Sequence, residues 1–202
     1  MGLSALRLLS EFLFKTATNE ERAGALALYR RVYLADVGFV PSDLPDEEGT
    51  YLVAHHQPQG LVATLRFLGP EHRPFDFEKR CDLAPLLSPE SSAALIGRFC
   101  VDPDFRAAPR SMILHLGMLK LALAHARGKG VSDLVLYTQP HLIRFYRSAY
   151  FHPTGVSFDY PNLPHRMHVM VLRIADLAGR SRQRSSARTE ILLSEDLPNF
   201  IL

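Results

Sequence analysis

The sequence has only two cysteines, no long apolar run and no strong excess of charge, and each of these scarcities argues against a class of protein. A net charge of +2 over 202 residues argues against a dedicated nucleic-acid-binding protein. No run of about 18 apolar residues is present, so no membrane span is expected, and nothing supports membrane association. The nine histidines show no ligand spacing, which predicts that no metal is bound.

The two cysteines, Cys81 and Cys100, lie in unlike contexts without a CxxC spacing. This favours free thiols in a reducing compartment and predicts a cytoplasmic protein. Residues 1–15 are apolar but contain Glu11 and lack a small-residue cleavage site, so they predict an amphipathic helix.

Hydrophobic residues make up 47% of the chain, enough for a substantial core. One domain is predicted over residues 1–176, and residues 177–202 are predicted to be a basic, flexible tail with a short C-terminal segment. Helical spacing predicts helices over 20–36 and 111–127 and a short helix over 141–150. Strand patterns occupy 50–56, 60–69, 92–101, 131–138, 154–158 and 166–174. This alternation predicts an α/β (α+β) fold with a mixed central sheet of about seven strands flanked by helices.

Residues 70–92 carry several prolines and little periodicity, and we call this segment the excursion. It is predicted to contain one short helix.

Three segments of the chain contain the candidate functional residues. A strand ends at Ile96–Val101, an arginine-bearing loop follows at Arg106–Ser111, and a later helix holds Tyr146. This order resembles the cofactor-binding half of the GCN5-related N-acetyltransferases. The resemblance implies that the strand, including Cys100 and Val101, pairs with pantetheine amides and that the loop binds phosphate at a helix N-terminus. It also implies that Tyr146 donates a proton to the leaving sulfur.

The loop departs from the common pattern Arg/Gln-x-x-Gly-x-Gly/Ala. Arg106 matches, but Pro109 replaces the first glycine and Ser111 the second. Proline has no N–H to donate, so a loop that wraps a pyrophosphate loses one donor. With Arg106 and Arg110 as charged donors, the loop suits the single phosphate of an acyl carrier protein's phosphopantetheine better than coenzyme A.

The N-terminal half resembles one branch of that superfamily, the N-acyl amino acid synthases and the acyl-homoserine-lactone synthases. The motifs that carry the resemblance are Leu28–Tyr33, Asp36–Phe39, Ala63–Arg66, Ile96–Val101 and Tyr160–Pro164. The resemblance implies transfer of an acyl group, with a fatty acyl group expected, from acyl carrier protein to the amine of an amino acid. The excursion is then expected to shape the acyl pocket. It places Arg66, Arg98 and Phe99 in substrate binding, with the arginines on the acceptor's carboxylate, and gives Arg98 and Tyr146 catalytic roles.

Two positions depart from that branch. Leu95 stands near where a catalytic glutamate is usual, with no carboxylate between Ser91 and Val101, and Tyr29 replaces an arginine. A base could then come from Glu47, Glu48, His55 or a held water. Two alternatives therefore stay open: an acetyl-CoA-dependent amine acetyltransferase and a non-catalytic acyl-binding module.

Structural interpretations compete with the functional ones. Arg98 could form a buried ion pair with an acid of the 43–48 loop. Tyr146 could serve core packing, with its hydroxyl in a hydrogen bond. Residues 180–188 are most simply a solvated basic segment. Their alternative is a dock for an acidic carrier protein or an anionic membrane.

Overall fold

The structure is a computed structural model that describes residues 7–38, 48–181, 191–192 and 199–201. Its strands are β1 (Phe12–Thr16), β2 (Thr50–His56), β3 (Gly60–Leu68), β4 (Ala93–Val101), β5 (Asp133–Thr138), β6 (His152–Phe158), β7 (Met167–Arg173) and β8 (Phe200–Ile201). Its helices are α1 (Asn19–Val37), α2 (Arg110–Gly128), α3 (Ile143–Ser148) and α4 (Ile174–Ser181). The strands form one mixed sheet in the order β6-β7-β5-β4-β3-β2-β1-β8, which confirms the predicted fold class.

Local sequence signals explain where α1 begins and ends. The Thr18 hydroxyl accepts a hydrogen bond from the Glu21 amide, and the Glu21 carboxylate accepts one from the Thr18 amide. This capping box satisfies two backbone donors at the helix start. Gly38, at φ 80°, ends the helix in the left-handed conformation, as the sequence predicts.

Helix α2 is the central helix of the core, with eleven of its nineteen residues buried. Gly117 permits its close approach to the sheet, because a Cβ there would lie 2.2 Å from the Phe14 ring. The sheet face beneath α2, which we call the α2 face, buries Leu65, Ile96 and Leu136 together with this helix.

The opposite sheet face is covered by two segments. The excursion packs Phe75 and Phe77 against Leu95 and Val135, and we call this side the excursion face. Helix α1 covers the neighbouring part of the same side, over Cys100 and Tyr51. The excursion contains three short 3₁₀ helices rather than the single short helix predicted: Pro70–His72, Asp76–Lys79 and Ala84–Leu86.

Strands β4 and β5 separate part of the way along the sheet. They pair in parallel only through Ala93–Leu95 and Asp133–Val135. Opposite β3, the β4 register shifts so that Arg66 faces Gly97 while Thr64 faces Cys100, and Arg98 adopts a φ of 50°. Such a bulge bends and twists its strand. A gap therefore opens in the middle of the sheet beyond Leu95.

The N-terminal prediction was wrong in part. Residues 7–9 are helical, but Phe12–Thr16 form β1, antiparallel to β2. Phe12 and Phe14 both point into the core, which is the two-residue period of a strand. Strand β8 pairs in parallel with β1, so the described sheet has eight strands rather than about seven.

The C-terminal segments include residues that join the main core. Helix α4 crosses residue 176, and Leu177, Ile191 and Leu192 are buried. The division at residues 176/177 stays a prediction, and residues 182–190, which contain most of the basic segment, lie outside the described residues. In the described ranges no helix is long and apolar enough to cross a membrane.

Candidate active site

A cavity of about 140 Å³ lies where β4 and β5 separate, and we call it the splay cavity. Side chains from both sheet faces line it. The α2 face contributes an apolar wall of Leu65, Ile96, Phe99, Leu119, Leu136 and Tyr146. The other side contributes polar and aromatic groups: Tyr29, Tyr33, Arg66, Asp76, Arg98, Tyr137 and Tyr160. The cavity therefore joins an apolar compartment to a charged one across the plane of the sheet.

Arg66 lies at the charged end of the cavity and is only 5% exposed. Burial, and secondly the like charge of Arg98, lower the pKa of Arg66. Its Nη1 is buried without a hydrogen-bond partner among the described residues. A buried cation is normally paired, so this nitrogen marks a place where an anionic ligand fits.

Arg98 reaches the same cavity from the bulge in β4. Its Nη1 donates a hydrogen bond of 3.2 Å to the Tyr51 hydroxyl. Its Cζ lies 5.0 Å from the centre of the Tyr29 ring, a cation–π contact. The predicted alternative partners at 43–47 lie outside the described residues, and Glu48 approaches His72 at 3.9 Å.

The position of Tyr146 is compatible with both of its predicted roles, core packing and proton donation. Its ring packs edge-on against Phe145 and Phe151 in the core, and the residue also lines the splay cavity. Burial raises the pKa of Tyr146 to about 12. Its hydroxyl is therefore protonated at neutral pH and able to act as a hydrogen-bond donor. Phe99, the other aromatic residue predicted here, packs edge-on against His115 at 4.5 Å.

The loop predicted to bind phosphate makes several contacts of its own. Arg106 donates two hydrogen bonds to the Asp36 carboxylate, at 3.0 and 2.7 Å, and one to the Val101 carbonyl. Arg110 lies 3.4 Å from Glu11. The Ser111 amide donates to the Ala107 carbonyl. The loop thus offers two exposed arginines but few free backbone donors.

Cys100 and Val101 point into the protein interior. Cys100 is 5% exposed among residues of α1, and burial raises the pKa of its thiol to about 12. Val101 joins the core under α2. Past Leu95 the described residues of β4 share no register with β5. That Ile96–Val101 pairs with pantetheine amides stays a prediction.

The candidate bases are distributed differently from the sequence expectations. His55 lies 3.1 Å from Glu21 and does not line the cavity, and Glu47 lies outside the described residues. Leu95 is 2% exposed within the apolar cluster of the excursion face. Asp76, which the sequence analysis missed, does line the cavity. The available signal was an acidic residue between two phenylalanines in a segment already expected to shape a pocket.

The sheet opens between β4 and β5 around a cavity lined by arginine and tyrosine side chains. Solved structures share its fold. An N-acyl amino acid synthase, FeeM, from uncultured soil microbes has a TM-score of 0.68 at 16% identity, over 82% of this chain and 92% of that one. The acyl-homoserine lactone synthase BjaI has a TM-score of 0.58 at 13% identity, over 91% and 100%. Escherichia coli ElaA has a TM-score of 0.57 at 18% identity, over 81% and 99%.

Residues 24–173 match the family model described as N-acyl amino acid synthase FeeM. The chain therefore belongs to this family and is an N-acyltransferase enzyme. Comparison with curated protein sequences found no match.

Proposed function

We propose that this enzyme transfers an acyl group from the phosphopantetheine thioester of an acyl carrier protein to the amine of an amino acid. The observation that carries the proposal is the unpartnered Arg66 Nη1 beside Arg98 at one end of an otherwise apolar cavity. A carboxylate bound there would accept a charge-assisted hydrogen bond from Nη1, for which the described residues supply no acceptor. Free amino acids offer that carboxylate two bonds from a nucleophilic amine.

The two reactants would approach from opposite sheet faces. The acceptor's carboxylate lies with Arg66 and Arg98, and the acyl group lies against the apolar α2-face wall. The amine nitrogen attacks the thioester carbonyl carbon while open β4 amides polarise the carbonyl oxygen. The C–S bond then breaks, and Tyr146 donates a hydrogen bond to the departing sulfur. Alignment of the two groups supplies much of the catalysis.

The donor assignment depends on the loop before α2. Pro109 has no amide hydrogen, and the Ser111 amide already serves Ala107, so backbone donors for a pyrophosphate are reduced. Arg106 and Arg110 are partly exposed, and a single phosphate would compete with Asp36 and Glu11 for their guanidinium groups. The alternative donor is coenzyme A, and BjaI is described as a CoA-dependent synthase bound to isopentyl-CoA.

The size of the cavity bears on the acyl chain. A volume of about 140 Å³ is close to that of an engineered protein cavity that holds benzene, roughly 150 Å³. The cavity therefore encloses the reacting end and the first carbons of a fatty acyl group. We propose that the remaining carbons lie outside it, each contributing about 0.8 kcal/mol where it is buried.

The test is a donor competition with mass-spectrometric detection. The full-length protein is incubated with a mixture of amino acids and with acyl carrier protein loaded with chains of two to sixteen carbons. The matching acyl-CoA series is run in parallel. We expect acyl-amino acid product from the carrier-bound donors. Product from acetyl-CoA and amines alone would overturn the donor assignment, and no acyl-amino acid from any donor would overturn the proposed reaction.

Ligand binding separates the same alternatives without turnover. A ligand that binds only the native state raises the melting temperature. We expect 4′-phosphopantetheine to raise the melting temperature at least as much as coenzyme A does. A shift with coenzyme A alone would support the acetyl-CoA-dependent alternative.

A further inference from the structure

We propose that Asp76 is the catalytic base that replaces the missing glutamate of β4, binding the acceptor's ammonium group and taking a proton from it. This inference rests on the proposed function, because it assigns a role toward the same acceptor amine. It concerns a residue of the excursion, for which neither sequence motif nor family resemblance assigned a catalytic role.

Position is the first argument. Asp76 lines the splay cavity together with Arg66, Arg98 and Tyr137. Its charge is close enough to raise the pKa of Tyr137, after burial as the larger cause, and to act on Arg66. Asp76 is the acidic residue among the described residues that line this cavity.

The structure also shows why a carboxylate comes from the excursion. Leu95 is buried against Phe75 and Phe77, the two residues that flank Asp76. A glutamate at position 95 would lie within this apolar cluster, where an unpaired charge is costly. The excursion, which packs over Leu95, therefore contributes the carboxylate of Asp76 to the lining of the cavity.

Asp76 is held firmly for this task. Phe75 is 1% exposed and Phe77 is fully buried, so the residues on both sides of Asp76 are anchored at the start of the short helix Asp76–Lys79. The Glu78 carboxylate accepts hydrogen bonds from the Phe75 amide and from Arg73. One Asp76 carboxylate oxygen accepts a bond of 2.8 Å from the Phe77 amide. Such support keeps a catalytic group in one geometry.

The charges in the cavity match an amino acid. Two guanidinium groups complement the acceptor's carboxylate, and one aspartate complements its ammonium group. Proton transfer from the ammonium to Asp76 leaves a neutral amine, which attacks the thioester carbonyl carbon. As the C–S bond breaks, the second nitrogen proton passes to the thiolate by way of Tyr146. The products are an amide, a thiol and protonated Asp76, which releases its proton to solvent.

The experiment compares Asp76→Asn and Asp76→Glu with a control, Glu90→Gln, in the full-length protein. Glu90 is an exposed carboxylate of the same excursion and does not line the cavity. The assay uses the mixed amino acids and the donor that supports turnover by the unaltered enzyme. We expect Asp76→Asn to lower the rate about 10²-fold or more. Glu90→Gln is expected to leave it unchanged, and Asp76→Glu to keep a measurable part.

The pH profile separates a base from a merely structural residue. Without a base, the rate follows the fraction of acceptor that is already deprotonated. Asp76→Asn should therefore regain rate steadily as the pH rises toward that of the free amine, while the unaltered enzyme depends less on pH. Equal rates and equal profiles for Asp76→Asn and the unaltered enzyme would overturn the inference.

Two controls keep the outcomes distinct. Melting temperatures show whether Asp76→Asn is folded. If a folded variant loses rate but keeps the pH profile of the unaltered enzyme, Asp76 has a structural role and the inference that it is the catalytic base is overturned. If the unaltered enzyme makes no acyl-amino acid from any donor, the proposed function fails instead. The Asp76 inference then fails with it, because no amine is acylated.

Discussion

Arg66 is a buried cation whose Nη1 finds no hydrogen bond among the described residues, with a second guanidinium nearby. Both conditions oppose stability, since a desolvated charge without full pairing costs free energy. Active sites carry such groups where a ligand supplies the missing partner. At the scale of single residues, Arg66 is therefore expected to lower the free energy of unfolding while it increases activity.

Replacing Arg66 by Met tests this link. We expect Arg66→Met to lose acyl-amino acid synthesis by at least about 100-fold, because hydrogen bonds to charged groups contribute about 1.5–3 kcal/mol each. The same change should leave the urea midpoint unchanged or raise it. Arg66→Lys keeps the charge without the planar fork and should raise the acceptor KM about tenfold. An active Arg66→Met enzyme would contradict the carboxylate assignment.

Tyr146 offers a test of the leaving-group donor. Tyr146→Phe removes only the hydroxyl and keeps the packing against Phe145 and Phe151. We expect kcat to fall about 10²-fold while the melting temperature stays close to that of the unaltered enzyme. Tyr150→Phe, which removes a hydroxyl outside the cavity, is the matched control. Equal kcat values in both variants would assign Tyr146 to packing alone.

At the scale of elements, β4 and the excursion act as a pair. Leu95 completes the apolar cluster under the excursion, and Asp76 enters the cavity from above it. Local patterns predicted β4 and α2 well, because each has strong periodicity and α2 ends at a glycine turn. They failed for β1, which is five residues long, and for the excursion, whose 3₁₀ helices depend on burial of Phe75 and Phe77.

The candidate site was also predictable only in part. Arg66, Arg98, Phe99 and Tyr146 do converge on one cavity, because three of them lie on the adjacent strands β3 and β4 and Tyr146 lies on α3, which follows β5. Asp76 was not predictable in this way, since its place depends on the packing of a segment with no periodic pattern. Its contact with the cavity is a property of the tertiary structure.

Substitution of Leu95 tests the pairing of β4 with the excursion. Leu95→Glu would place a carboxylate in an apolar cluster, so we expect the free energy of unfolding to fall by about 3 kcal/mol or more. Leu95→Met conserves volume and should cost less than about 1.5 kcal/mol. Urea denaturation measures both. A stable Leu95→Glu protein with increased activity would show that the β4 position still accepts the catalytic carboxylate.

At the scale of the whole molecule, two partly buried histidines make stability depend on pH. Burial, as the largest cause, lowers the pKa of both His115 and His125. The unfolded chain therefore binds protons near pH 6.5 that the folded protein does not bind. Stability is fully present above that pH and falls as the pH drops through it toward the lower folded pKa.

We expect the free energy of unfolding in urea to be lower at pH 5.5 than at pH 7.5. His125→Leu should reduce this difference, because it removes a buried ring whose Nε2 has no hydrogen-bond partner among the described residues. The ring's edge-on contact with Phe67 is replaced by aliphatic packing. An undiminished pH dependence in His125→Leu would assign the effect to other groups.

The separation of β4 from β5 also shapes how such an enzyme can diversify. Under the proposed function, the donor meets walls built by α2 and α3, whereas the acceptor meets walls built by α1 and the excursion. The sheet separates these two sets of walls, and the splay cavity passes through it where β4 and β5 part. Mutations in the excursion can therefore change which amine is accepted while leaving the choice of thioester intact, and the reverse holds for α2 and its loop. Under the proposed function, specificity for the thioester donor and specificity for the amine acceptor can therefore change independently of each other.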